Sequence, residues 1–76
     1  MKGANEMVLK VNGMHKIAGG YLIPRSHFSE DAAPNYAIFE ILHGGDGRFI
    51  KTHTTMTVKE CRKMFGLGAK EGVKII

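Results

Sequence analysis

The stretch Thr57-Val58-Lys59-Glu60-Cys61-Arg62-Lys63-Met64-Phe65-Gly66 decides the fold, because both of its ends are written in local chemistry. Thr57 and Glu60, three residues apart, form a capping box in which each side chain meets a backbone N–H at a helix start. Gly66 supplies the left-handed stop that ends a helix. Between them Val58, Cys61 and Phe65 fall on one side at helical spacing, and Lys59, Arg62 and Lys63 fall on another. The spacing predicts a helix over about 58–65 with an apolar side for a sheet and a basic side for solvent.

Working outward, Gly72-Val73-Lys74-Ile75-Ile76 reads as a last strand. Arg48 to Thr55 is rich in β-branched residues and reads as the strand before the helix. The turn Gly44-Gly45-Asp46-Gly47 joins it to Tyr36-Ala37-Ile38-Phe39-Glu40-Ile41-Leu42. In that run Ala37, Phe39 and Ile41 share one face, while Tyr36, Ile38 and Leu42 share the other with Glu40. Apolar groups on both faces mark a central strand. Arg25 to Pro34 reads as a surface loop, since Pro34 disfavours helix at the residue before it. Nearer the start, Met7 to Val11 reads as a strand. Asn12-Gly13 is a strong hairpin signal that predicts a return over Met14 to Ala18. Gly19-Gly20 reads as a bulge or bend, and Tyr21 to Ile23 as an extended segment stopped by Pro24.

The pattern is α+β: a small, mainly antiparallel sheet of four to five strands with one short helix packed on it. An SH3-like barrel is the alternative. The chain reads as a single domain over 1–76, with 1–6 as a disordered N-terminus. A chain of 76 residues buries only about 60% of its unfolded surface, so its core is thin.

Composition narrows the function classes. The chain is 43% hydrophobic and 24% charged, the balance of a globular domain. No apolar run approaches the roughly 20 residues of a membrane span, and no membrane partner is expected. The polar start lacks an apolar h-region, and a lone cysteine forms no internal disulfide, so a cytoplasmic location is the expectation. Net charge is +4, unevenly placed. Residues 1–47 hold four Lys/Arg and five Asp/Glu, net −1; residues 48–76 hold seven and two, net +5. A basic C-terminal surface suits nucleic acid or an acidic protein surface. Lys59, Arg62 and Lys63 lie at i, i+3 and i+4 and project together. Arg48 and Lys51 on the preceding strand, with Lys70 and Lys74 beyond the helix, complete the candidate contact set.

The catalytic and metal signals are poor. Gly44 to Gly47 lacks the ending and glycine spacing of a phosphate loop and reads as a plain hairpin loop. His15, His27, His43 and His53 show no i,i+3 or i,i+4 pairing, so no metal is expected. Cys61 sits on the apolar side of the helix and reads as a small buried residue rather than a nucleophile. No acid, base and nucleophile assemble, so neither catalysis nor a cofactor is expected. Tyr21 and Tyr36 are candidate stacking residues.

Thr57 to Glu60 followed by Gly66-Leu67 resembles the first helix and turn of a helix-turn-helix. The resemblance implies a following helix that enters the major groove. It spans about 20 residues, and the sequence departs from the pattern at Arg62, where a small residue is usual, and at Gly72, where an apolar one is. The expected function is therefore that of a small non-enzymatic regulatory module contacting nucleic acid or the transcription machinery through a basic C-terminal surface. The alternative is a protein-interaction regulator or inhibitor, of the phage or mobile-element type, that docks on a larger host enzyme such as RNA polymerase.

Overall fold

The computed structural model describes residues 6–31, 33–45, 47–68 and 71–76. Among them the chain forms β1 (Glu6–Leu9), β2 (His15–Ile17), β3 (Gly20–Pro24), β4 (Tyr36–Gly45), β5 (Arg48–Thr57), α1 (Val58–Met64) and β6 (Gly72–Ile75). Strands β2 to β5 make one antiparallel sheet in chain order, and β1 pairs in parallel with β6. The domain is α+β. The larger sheet has free edges at β2 and β5 and does not close, so the barrel alternative is excluded.

Helix α1 forms where its local chemistry places it. The Thr57 hydroxyl accepts from the Glu60 N–H at 3.3 Å, and the Glu60 carboxylate accepts from the Thr57 N–H at 2.9 Å. At the other end Gly66 adopts φ 68°. The Leu67 N–H then donates to the Arg62 carbonyl at 2.8 Å, and the Gly66 N–H to the Lys63 carbonyl at 3.1 Å. These two bonds satisfy carbonyls that the helix itself leaves open.

Strand β4 is central, paired over ten residues with β5 and over five with β3. Its alternation sends Ala37, Phe39 and Ile41 into the core. Leu22 from β3 and Met56 from β5 join them from the same face. Cys61 of α1, Leu9 of β1, and Val73 and Ile75 of β6 close over it. The helix and the parallel pair thus cover one face of the four-stranded sheet. Phe28, from the 25–35 connection, packs edge-on against Phe39 at 6.3 Å between centroids.

Several expectations are corrected here. Asn12-Gly13 does not make a hairpin: β1 and β2 belong to different sheets. The dipeptide still turns the chain, with Asn12 at φ 68° and the Gly13 N–H on the Lys10 carbonyl at 2.9 Å. Distant partners take the flanking amides instead. Val11 N–H reaches the Ile76 carbonyl at 2.9 Å, and Asn12 N–H the Pro24 carbonyl at 2.8 Å. Burial of Leu9 beside Val73 and Ile75 favours that long-range pairing over the local one. The hairpin lies one turn later, where Ile17 pairs with Gly20 around Gly19 at φ 79°. The extended segment does stop at Pro24, which is itself the last residue of β3, opposite Phe39. No second helix follows Gly66 among the described residues: Gly72–Ile75 is a strand, as its own composition predicts, and the helix-turn-helix resemblance ends at the turn. Of the segment expected to be disordered, residues 1–5 lie outside the described residues and Glu6 opens β1.

Candidate functional site

Among the described residues no helix or strand covers the second face of the four-stranded sheet. Register builds it in cross-strand rows. Ile23, Glu40 and His53 form one row, and Tyr21, Leu42 and Lys51 the next. Gly44 and Phe49 form a third row toward the β4–β5 tip, and Ile38 and Thr55 form a row of the same face beyond Glu40, away from the tip.

Glu40 is the electrostatic centre of this face. It is buried, at 8% exposure, and all ion pairs among the described residues converge on it. Arg25 Nη2 donates to Glu40 Oε2 at 2.9 Å, and His53 Nε2 lies 2.9 Å from Oε1. Lys51 Nζ stands 4.0 Å from Oε2. A carboxylate only accepts, so Nε2 of His53 carries the proton. The hydrogen bond from Arg25 is the largest influence on the Glu40 carboxyl and pulls its pKa below the usual 4.5. Burial pushes the other way. The His53 hydrogen bond and the charges of Arg25 and Lys51 outweigh that push. The other arm of Arg25, Nη1, donates to Asn12 Oδ1 at 2.7 Å, tying the 10–13 turn to the sheet.

Toward the hairpin tip the face is aromatic. Tyr21 and Phe49 sit 6.0 Å apart on strands either side of β4, with ring planes at 53°. Gly44 makes this possible: a Cβ there would stand 2.9 Å from Phe49 Cε1, so only a bare backbone lets the ring lie across β4. Phe49 is 57% exposed, and Tyr36 and Ile38 are each 46% exposed. Glu40 is the only acid among the described residues of β2 to β5. On the face it shares with Lys16 and Lys51, and with Arg25 just after β3, cations outnumber it, so the face is cationic as well as apolar.

The basic residues named from sequence divide among several places. Lys59 and Lys63 are exposed and Arg62 half-buried, together on the outer side of α1. Lys51 joins the Glu40 cluster. Arg48 lies on the other side of β5 by alternation and lines a cleft of about 380 Å³ with His43 and Ile50. Lys74 lines a separate cleft of about 670 Å³ that Glu6, Glu30 and Asp31 also line. Lys70 lies outside the described residues. Neither cleft is lined by Glu40, Arg25 or His53. Sequence reasoning does not find Lys16, Arg25, Phe49 and His53. The odd-numbered alternation Phe49, Lys51, His53, Thr55 is a usable signal for β5, but bringing Arg25 to Glu40 requires the β3–β4 register.

Cys61 is fully buried, and its thiol pKa is pushed up to about 12 by burial first and the Glu60 charge second. Among the described residues no group of three or more His, Cys, Asp or Glu is placed to hold a metal ion. No helix among the described residues is long and apolar enough to cross a membrane. The chain matches no known protein family, no curated protein and no solved structure.

Proposed function

We propose that the chain is a small non-enzymatic regulatory module that contacts nucleic acid, or the transcription machinery that handles it, through its basic C-terminal surface. One observation carries the reading. Helix α1 spends its inner side on Cys61 and the core and presents Lys59, Arg62 and Lys63 on its outer side. None of the three is in an ion pair among the described residues. Three cations on one side of a helix, held in no such ion pair, attract an anionic partner and release its counterions on contact.

A salt titration of binding to mixed-sequence DNA and RNA tests this. Each phosphate contact adds about −0.9 to the slope of log K against log salt on duplex DNA. The double variant Lys59→Glu/Lys63→Glu lowers affinity at least about tenfold at low salt and flattens the slope by about one unit for each phosphate that is no longer engaged. Absence of binding at low ionic strength, or binding indifferent to salt, contradicts the reading.

A second reading has its own observation. Strand β5 is ten residues long and forms an edge of the sheet, a template for strand addition by a protein partner. On this reading the chain is an interaction regulator of a larger enzyme. Capture of that enzyme then survives the charge reversal on α1.

A further inference from the structure

We propose that the open face of the four-stranded sheet binds single-stranded nucleic acid, with bases stacking on the Tyr21–Phe49 pair and phosphates held by Lys16 and Lys51. The proposal rests on the nucleic-acid reading above and gives it a ligand class and a second contact surface.

Three observations point to this occupant. The first is the aromatic pair. Phe49 is more than half exposed, and its ring lies over Gly44 beside Tyr21. An exposed π-face is a stacking platform for any base. The second is charge complementarity. Lys16 pairs with Tyr21 across β2 and β3, and Lys51 lies across β4 from Tyr21. Cations thus flank the aromatic pair. Among the described residues of β2 to β5 the one carboxylate is Glu40, already engaged by Arg25 and His53, so its repulsion of a phosphate is largely answered. The third is shape. Bases in a duplex already stack on one another and offer grooves, which a broad sheet face does not enter. Unpaired bases offer free π-faces to the sheet. An apolar protein surface laid on the same face would strand the charges of Lys16 and Lys51 away from water.

The chain carries its own reporter. It has two tyrosines and no tryptophan, and Tyr21 and Tyr36 both lie on this face. Titration of the full chain with oligo-dT and oligo-U of about 12 nucleotides quenches tyrosine emission, and the matching duplex binds more weakly. Phe49→Ala weakens single-strand binding roughly tenfold by anisotropy, the loss of about one stacked base. Because Phe49 is exposed, its removal leaves the thermal midpoint essentially unchanged. Lys51→Ala lowers affinity and flattens the salt dependence. Single-strand binding that leaves tyrosine emission unchanged overturns the proposal. So does binding that is indifferent to Phe49→Ala and Lys51→Ala but abolished in Lys59→Glu/Lys63→Glu; that result leaves the proposed function standing on α1 alone. Preference for duplex also overturns it. Absence of binding to any of the three probes at low salt overturns both readings.

Discussion

His53 and Arg25 divide the Glu40 carboxylate between them: His53 Nε2 sits 2.9 Å from Oε1 and Arg25 Nη2 sits 2.9 Å from Oε2. The acid is thereby held charged in a nearly buried position on a sheet face that is otherwise basic and apolar. Its partners come from the neighbouring strand β5 and from the residue that follows β3. The carboxylate therefore pins three strands in one register. Its removal by Glu40→Gln lowers the urea midpoint, because Arg25 then faces a neutral group.

The pH dependence of that effect has a fixed sign. The carboxyl pKa is lowered in the folded chain, chiefly by the Arg25 hydrogen bond, from a usual value of 4.5. Glu40 therefore contributes stability above about 4.5, and the contribution fades as pH falls through the lower folded value. Urea melts of the native chain and of Glu40→Gln between about pH 6 and pH 2, read by far-ultraviolet circular dichroism, converge on acidification. A gap between the two that stays constant with pH contradicts the assignment.

Cys61 gives the opposite pH window. Its thiol is raised from 9.0 to about 12 on folding, mainly by burial. The stability linked to it is complete below about pH 9 and falls as pH rises from there toward 12, as the unfolded chain releases a proton that the folded chain keeps. The native thiol reacts with a disulfide reagent only at the rate of opening, and urea restores fast labelling. Cys61→Ser places a hydroxyl in the apolar cluster and costs about 1–3 kcal/mol.

Two phenylalanines separate core from surface. Phe39 is wholly buried and meets Phe28 edge-on, so Phe39→Ala costs about 3–5 kcal/mol. Phe49→Ala changes stability by less than about 0.5 kcal/mol. Equal costs by chemical denaturation contradict the placement of the two faces.

Two glycines of the β2–β3 hairpin differ in why they are glycine. At Gly20 a Cβ would lie 1.8 Å from the Leu42 carbonyl oxygen, so Gly20→Ala forces β3 away from β4 and costs about 1–3 kcal/mol or more. Gly19 has open space but a φ of 79°, so Gly19→Ala costs only the left-handed penalty of about 1–2 kcal/mol. Gly45→Ala meets nothing within 4 Å and is the mild control.

Local chemistry makes α1 and the central strand legible. Thr57, Glu60 and Gly66 act within one or two helical turns, and the alternation of β4 is visible in seven consecutive residues. The β1–β6 pair is not legible as a pair. Both strands are recognisable, but their parallel contact joins the two ends of the chain, and Asn12-Gly13 offers a nearer hairpin partner. The basic set fails to gather for a similar reason. Sequence adds the charges of Arg48, Lys51 and Lys74, whereas alternation sends Arg48 and Lys51 to opposite sides of β5. Lys74 in turn is placed in a cleft beside Glu6, Glu30 and Asp31. Lys59, Arg62 and Lys63 do gather, because three side chains on one short helix need no tertiary register.

Contact of the basic and aromatic surface with nucleic acid, as proposed, leaves a footprint on the chain itself. The most direct measurement is amide chemical-shift mapping of the isotope-labelled chain during titration with a short single-stranded oligonucleotide at low salt. Shifts grouped at Tyr21, Phe49 and Lys51 on the open face and at Lys59 to Lys63 on α1, reversed by added salt, are expected. A titration that moves no amide, or moves only those around the acidic cleft at Glu30 and Asp31, contradicts the proposed contact.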